Sequence, residues 1–216
     1  MTQQPRVLAV PFFCGICLVL HVLASPFLRL PFAFGTEDFF IADLLTSTLP
    51  LQIAPLQTGE GWRTLSYALL HGSWVHLLFN LFGLWLTGNT LERQFGWATT
   101  LGIFFVGATA GAAGFVASLL LDPRLSPATT CLGASAILTA CIGTLTTAFP
   151  KHHLTLWLLF IPIRVRTLWL APALFCLFAT ECLFPHLGTA YGAHLGGWLA
   201  GLLIGGSLLR SRANPI

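Results

Sequence analysis

Four polar side chains stand out in an otherwise apolar chain: His76, Asn80, Ser135 and His194. A serine hydroxyl attacks a carbonyl only when a neighbouring base takes its proton. Histidine suits that task, because an unperturbed imidazole titrates at about 6.5 and is available neutral at physiological pH. Ser135 lies in Gly133-Ala134-Ser135-Ala136, between the polar break Asp122-Pro123-Arg124-Leu125-Ser126-Pro127 and a hydrophobic run. Small neighbours leave room for a substrate carbonyl beside the hydroxyl, but they equally suit a tightly packed helix start. Taken alone, that stretch favours packing. His76 and Asn80 are four apart and project from one helix face. With the Ser135 N–H they form a set of donors suited to a developing oxyanion.

The elements that position these residues follow from composition. Of 216 residues, 56% are hydrophobic and 8% charged, whereas a soluble domain carries about 25% charged residues. The chain therefore belongs in a bilayer. A net charge of +3 makes no case for nucleic acid. Cys14, Cys17, Cys141, Cys176 and Cys182 fall in apolar runs and read as small packing residues, with no zinc-ligand spacing. Six stretches approach the roughly 20 residues of a spanning helix: about 7–24, 74–91, 98–121, 134–150, 168–184 and 193–209. Val22-Leu23-Ala24 resembles a signal-peptidase site, but the apolar run before it exceeds a signal core and reads as a first span. A long first connection, about 25–70, is too polar and proline-broken to span. Within it, Thr36 to Leu45 has a cap residue, first-turn acids and helical apolar spacing, which predicts an interfacial amphipathic helix. The run 154–160, flanked by Lys151, Arg164 and Arg166, is too short to cross and is expected to lie along the interface. The expected fold is an all-α bundle of six transmembrane helices, core about 7–210, in one membrane domain covering 1–216.

Loop cations set the orientation. Arg6, Arg93, Lys151, Arg164, Arg166, Arg210 and Arg212 fall on one side; Arg29, Arg63 and Arg124 fall on the other. This predicts both termini in the cytoplasm. His76, Asn80, Ser135 and His194 then lie near the outer starts of the second, fourth and sixth spans, one or two turns deep. Polar groups at one level from three helices point to one shared pocket. His194, Gly197 and Gly201 share a face, and glycines at that spacing let helices approach closely. Gly107, Gly111 and Gly114 form a second small face, read as packing. No carboxylate lies at this depth on those three spans, so the expectation is a serine–histidine dyad. Glu181 reads as interfacial, with substrate access as its alternative, and His152, His153 and His186 read as loop residues. A metal is not expected: His71 and His76 are five apart, about 140° around a helix, and the paired-histidine zinc motif is absent. No cofactor is expected either.

Several ordered motifs resemble the rhomboid family of intramembrane serine proteases. They are Trp62-Arg63 in the first loop, His71 to Asn80, Leu91-Glu92-Arg93-Gln94-Phe95-Gly96, Gly133-Ala134-Ser135-Ala136, and Ala193 to Gly201. The resemblance covers about 62–205. It implies Ser135 as nucleophile, His194 as base, and His76 and Asn80 as oxyanion donors. It further implies a bracing first loop with Trp62 and Arg63, Glu92 as a support of helix contacts, and Gly133, Gly197 and Gly201 as close-packing positions. The implied substrate is a transmembrane segment of another protein, cut near the outer face of a bacterial plasma membrane. Ala136 stands where many members have glycine, and Thr139 where many have an aromatic ring against the catalytic histidine. An inactive rhomboid-like protein that binds membrane clients is the alternative. A transporter is disfavoured, because the inner halves of the second and sixth spans are nearly all apolar.

Overall fold

The structure, a computed structural model, describes residues 7–25, 41–158, 161–184 and 190–213. Arg6, Arg29, His186 and the cap and first-turn acids Thr36, Glu37 and Asp38 lie outside the described residues. Helix α1 (Ala9–Leu23) contains Pro11 without a break, because Pro11 falls in the first turn, where no intrahelical donor is required. The free N–H groups of that turn meet a carboxylate from another helix. Leu8, Ala9 and Val10 donate to Glu92 at 2.5, 2.8 and 3.1 Å. Glu92 is 1% exposed, so a buried acid is compensated by three donors and the positive end of the α1 dipole.

The first loop carries three short helices: α2 (Ile41–Thr48), α3 (Ile53–Gln57) and α4 (Arg63–Ser66). Arg63 is the clamp between them. Its guanidinium donates to the carbonyls of Pro50 (2.8 Å) and Ser47 (2.9 Å) and to Glu60 (2.7 Å). The Trp62 indole adds a bond to the Thr48 carbonyl at 3.3 Å. A 3-10 turn (Tyr67–Leu69) leads to α5 (Trp74–Phe95), capped by the Ser73 hydroxyl, which accepts from the His76 N–H. Helix α6 (Trp97–Leu121) follows, then α7 (Ser135–Ala148) and, after a strand pair, α8 (Leu170–Leu183) and α9 (Tyr191–Ala213).

One expectation is corrected. The chain is mostly helical rather than all-α. The run expected along the interface is strand β1 (His153–Leu158), paired antiparallel with β2 (Ile161–Arg166) from His153↔Arg166 to Leu158↔Ile161. Ile161, Ile163 and Val165 alternate with Pro162, Arg164 and Arg166, and this two-residue period belongs to a strand. The six expected spans differ in length. Among the described residues, α6 and α9 are long and apolar enough to cross a membrane. The pair α4–3-10 turn and α5 joins them if it is taken as one span bent by 100°. Helices α1, α7 and α8 are apolar but shorter than the roughly 20 residues of a full span.

Helix α9 packs against α6 on one side and α7 on the other, with almost no side chain between the backbones. A Cβ at Gly201 would overlap the Ala140 carbonyl, and one at Gly197 the Ala136 carbonyl. On the α6 side, Gly114 and Gly196 are equally close to Gly192 and Ala110. Hydroxyls reinforce the seam. Thr139, Thr144 and Thr147 of α7 donate to the carbonyls of His194 (3.0 Å), Gly201 (3.2 Å) and Leu202 (3.2 Å) of α9. Helix association in lipid relies on such packing and hydrogen bonds, since burial from water contributes little there. Gly201→Val is therefore expected to lower the thermal midpoint in detergent or liposomes, at a cost of about 1–3 kcal/mol for overpacking. Gly206→Val, where a Cβ meets nothing within 4 Å, should leave the midpoint close to wild type.

Candidate active site

The seam places the side chains. Ser135 is the first residue of α7 and His194 the fourth of α9. The Ser135 Oγ and His194 Nε2 are 2.8 Å apart, within hydrogen-bond reach. Both residues are partly buried at a cavity of about 340 Å³ whose lining includes His76, Ser135 and His194. As the first residue of α7, Ser135 presents its N–H at a helix start, where backbone donors lack intrahelical partners.

The loop before the serine is held at Cys131, Gly133 and Ala134. Cys131 exchanges two backbone bonds with Leu51 of the first loop, both 2.9 Å. The Gly133 N–H donates to the Tyr67 carbonyl at 2.9 Å, and the Ala134 N–H to His71 Nε2 at 3.3 Å. His71, weighed above as a metal ligand, instead fixes the approach to the serine. Gly133 has φ +118°, in the left-handed region that favours glycine. A Cβ there would stand 2.6 Å from His76 Cε1 and 2.7 Å from Nε2. The empty side of Gly133 is thus occupied by the His76 imidazole.

The second-helix pair separates in its surroundings. His76 lines the cavity, whereas Asn80 is 3% exposed and absent from the lining. The Asn80 amide donates to the His76 carbonyl at 3.1 Å; a second amide N–H remains for another acceptor. Gly197 and Gly201 sit beneath His194 on the α7 seam. Trp62, Arg63 and Glu92 are remote from the cavity, in the first loop and at the foot of α1. Among the described residues no three His, Cys, Asp or Glu side chains gather in a metal-holding group.

One neighbour of His194 differs from expectation. Glu181 is buried against His194: it is 4% exposed, and its two carboxylate oxygens lie 2.9 and 3.1 Å from His194 Nδ1. The outer starts of the second, fourth and sixth spans carry no carboxylate. Helix α8 runs the other way, so the same level falls at its C-terminal end. Phe178, one turn earlier, places its ring centroid 6.3 Å from that of His194 at a 31° tilt. Thr139 bonds the His194 carbonyl, not the ring.

The end of α8 is tied down by charge. Arg124 donates to Asp122 at 2.7 and 2.8 Å and to the Cys182 carbonyl at 3.1 Å, while the Tyr191 hydroxyl donates to Asp122 at 2.9 Å. The Arg124 guanidinium beside Asp122, in the loop after α6, holds its carboxyl well below the usual carboxylate range.

Comparison with known proteins gives a consistent result. Residues 58–211, more than half of the chain, match the Rhomboid domain. The chain is 28% identical over 151 residues to the Rhomboid protease GlpG of Haemophilus influenzae, covering 69% of this chain and 70% of that one. It is 37% identical over 87 residues to the Rhomboid protease GluP of Bacillus subtilis, covering 40% of this chain and 16% of that one. It is also 28% identical over 154 residues to the RHOMBOID-like protein 5 of Arabidopsis thaliana, covering 71% and 46%. Several of these relatives are much longer, and the chain spans under half of the Arabidopsis and Bacillus proteins.

Gly133→Ala must adopt a left-handed backbone, costing about 1–2 kcal/mol, and must also displace the His76 ring. The expected outcome is a lowered thermal midpoint together with a shifted His76 ring signal in ¹⁵N-histidine NMR. Gly72→Ala, where a Cβ finds its nearest neighbour at 3.6 Å, should move the His76 signal far less.

Proposed function

Because the chain belongs to the rhomboid family, we propose that it is an intramembrane serine endopeptidase acting on transmembrane segments of other membrane proteins. The observation that carries this reading is the 2.8 Å approach of Ser135 Oγ to His194 Nε2 beside a cavity. In the proposed reaction His194 Nε2 takes the Ser135 proton as Oγ attacks the scissile carbonyl carbon. The carbonyl oxygen, now an anion, accepts from the Ser135 N–H, from His76 and from the second Asn80 amide hydrogen. His194 then gives its proton to the departing amine, and water, deprotonated by the same imidazole, releases the acyl group and restores Ser135.

Under this reading residues 1–216 form one membrane domain of six helices in a bacterial plasma membrane. Both termini lie in the cytoplasm and the site opens to the outer face. The short α7 supports a site that faces one side only: its first residue carries the nucleophile partway into the bilayer. The first loop, clamped by Arg63 and Trp62, holds the serine loop through Leu51 and Cys131. The substrate is a peptide segment that unwinds near the outer face, where its backbone carbonyl becomes free to enter the cavity.

Cleavage of a model transmembrane substrate in liposomes tests the reading. Ser135→Ala and His194→Ala should each abolish cleavage, and a fluorophosphonate should label wild type but not Ser135→Ala. Asn80→Ala, which removes one oxyanion donor, should reduce kcat by about 100- to 1000-fold. Cleavage by Ser135→Ala at the wild-type rate would sink the mechanism; a client-binding protein without activity would show no labelling at all.

A further inference from the structure

We infer that Glu181 is a positioning residue for His194, so that Ser135, His194 and Glu181 act as a triad in which α8 supplies the carboxylate. The inference rests on the protease reading above and deepens it. A carboxylate that is 4% exposed on an apolar helix is costly to hold without partners. Here both of its oxygens face one ring nitrogen, His194 Nδ1. An ionised carboxylate only accepts hydrogen bonds, so Nδ1 must carry the hydrogen. That leaves the lone pair of the neutral ring on Nε2, pointing at Ser135 Oγ. The tautomer competent to take the serine proton is thereby selected before substrate arrives. When Oγ attacks, its proton passes to Nε2; the Nδ1 proton stays on the ring, and the carboxylate stabilises the imidazolium without itself being protonated.

The other neighbours of His194 leave this task open. Thr139, the nearest hydroxyl of α7 below the serine, engages the His194 backbone carbonyl. Phe178 is tilted and 6.3 Å away by centroids, so it bounds the ring without fixing its rotation. The placement of Glu181 is itself supported from the loop after α6. Arg124 bonds the carbonyl of Cys182, the residue next to Glu181, and the same Arg124–Asp122 pair receives the Tyr191 hydroxyl at the start of α9. One polar clasp therefore joins the carboxylate's helix to the histidine's helix.

The test uses the full chain in liposomes as wild type, Glu181→Gln, Glu181→Asp and Ser135→Ala, with kcat and KM for a transmembrane substrate. ¹⁵N-histidine NMR gives the protonation of the His194 ring, its signal assigned by loss in His194→Ala. Glutamine has the same shape as glutamate, so a merely structural role predicts unchanged kcat in Glu181→Gln. The triad predicts a fall in kcat of about 100-fold or more with KM and thermal midpoint retained, and partial recovery in Glu181→Asp. In wild type and in Ser135→Ala, the neutral ring should carry its proton on Nδ1. Wild-type kcat in Glu181→Gln, or a wild-type ring protonated on Nε2, overturns the inference. The NMR arm needs neither a variant of Glu181 nor catalysis. An Nδ1-protonated His194 in a wild-type protein that cuts nothing supports the positioning by Glu181 and overturns the protease reading alone.

Discussion

The backbone-to-backbone approach of α7 and α9 is the constraint from which the site follows. A hydroxyl on the first residue of one helix and an imidazole on the fourth residue of another meet at 2.8 Å only if the helix axes are closer than ordinary side chains allow. Gly197 and Gly201 remove the side chains on α9, and Ala136 and Ala140 keep those on α7 small. Three threonines then hold the register by donating across the seam to α9 carbonyls. In water such bonds contribute little net energy, because solvent competes for both partners. Next to lipid the competition is weaker, and an intact seam is a condition for the site rather than an ornament of it.

A second constraint acts from the loop side. The chain before Ser135 has no helix of its own, yet Cys131, Gly133 and Ala134 each have a hydrogen-bond partner from the first loop or the segment preceding α5. Tyr67 connects both systems. Its carbonyl takes the Gly133 N–H, while its buried hydroxyl donates to the Ala108 carbonyl in α6. The first loop thus acts as a spacer of fixed height between α6 and the serine. Arg63 matters in this arrangement because it gathers the carbonyls of Ser47 and Pro50, fixing the path that ends at Leu51.

Much of this was legible in the sequence, and the parts that were not have physical reasons. The residues His76, Ser135 and His194 could be placed at one level because alternate spans run in one direction and start on the same side. The glycine faces could be read because spacing alone specifies a close crossing. The hairpin was missed because six apolar and basic residues alternating in a strand look like an interfacial run when judged on hydrophobicity and flanking charge. The boundaries of α1, α7 and α8 fall within about two residues of the stretches read from hydropathy, because polar and proline breaks end an apolar run in the sequence as they end the helix. Glu92 was legible only as a support; that it receives the first turn of α1 requires a fold in which residues 8 and 92 meet.

Thr139 and Glu181 belong to one solution. A catalytic imidazole has two requirements, a fixed position and a fixed rotation, and a single aromatic neighbour on α7 could serve both. At 139 the side chain is a threonine whose hydroxyl is already committed to the carbonyls of Ala136 and His194. It fixes where the histidine backbone stands and leaves the ring free to turn. Rotation must then be limited from the opposite side, and the group that stands there is a buried carboxylate on α8. Position comes from the rigid α7–α9 seam. Rotation is limited from α8, which reaches the bundle through the Arg124 bond to the Cys182 carbonyl, the Phe178–Trp198 ring contact and the Glu181–His194 pair itself. Any displacement of α8 that separates Glu181 from Nδ1 therefore leaves the Ser135–His194 contact to the α7–α9 seam while removing the acceptor that faces the other ring nitrogen.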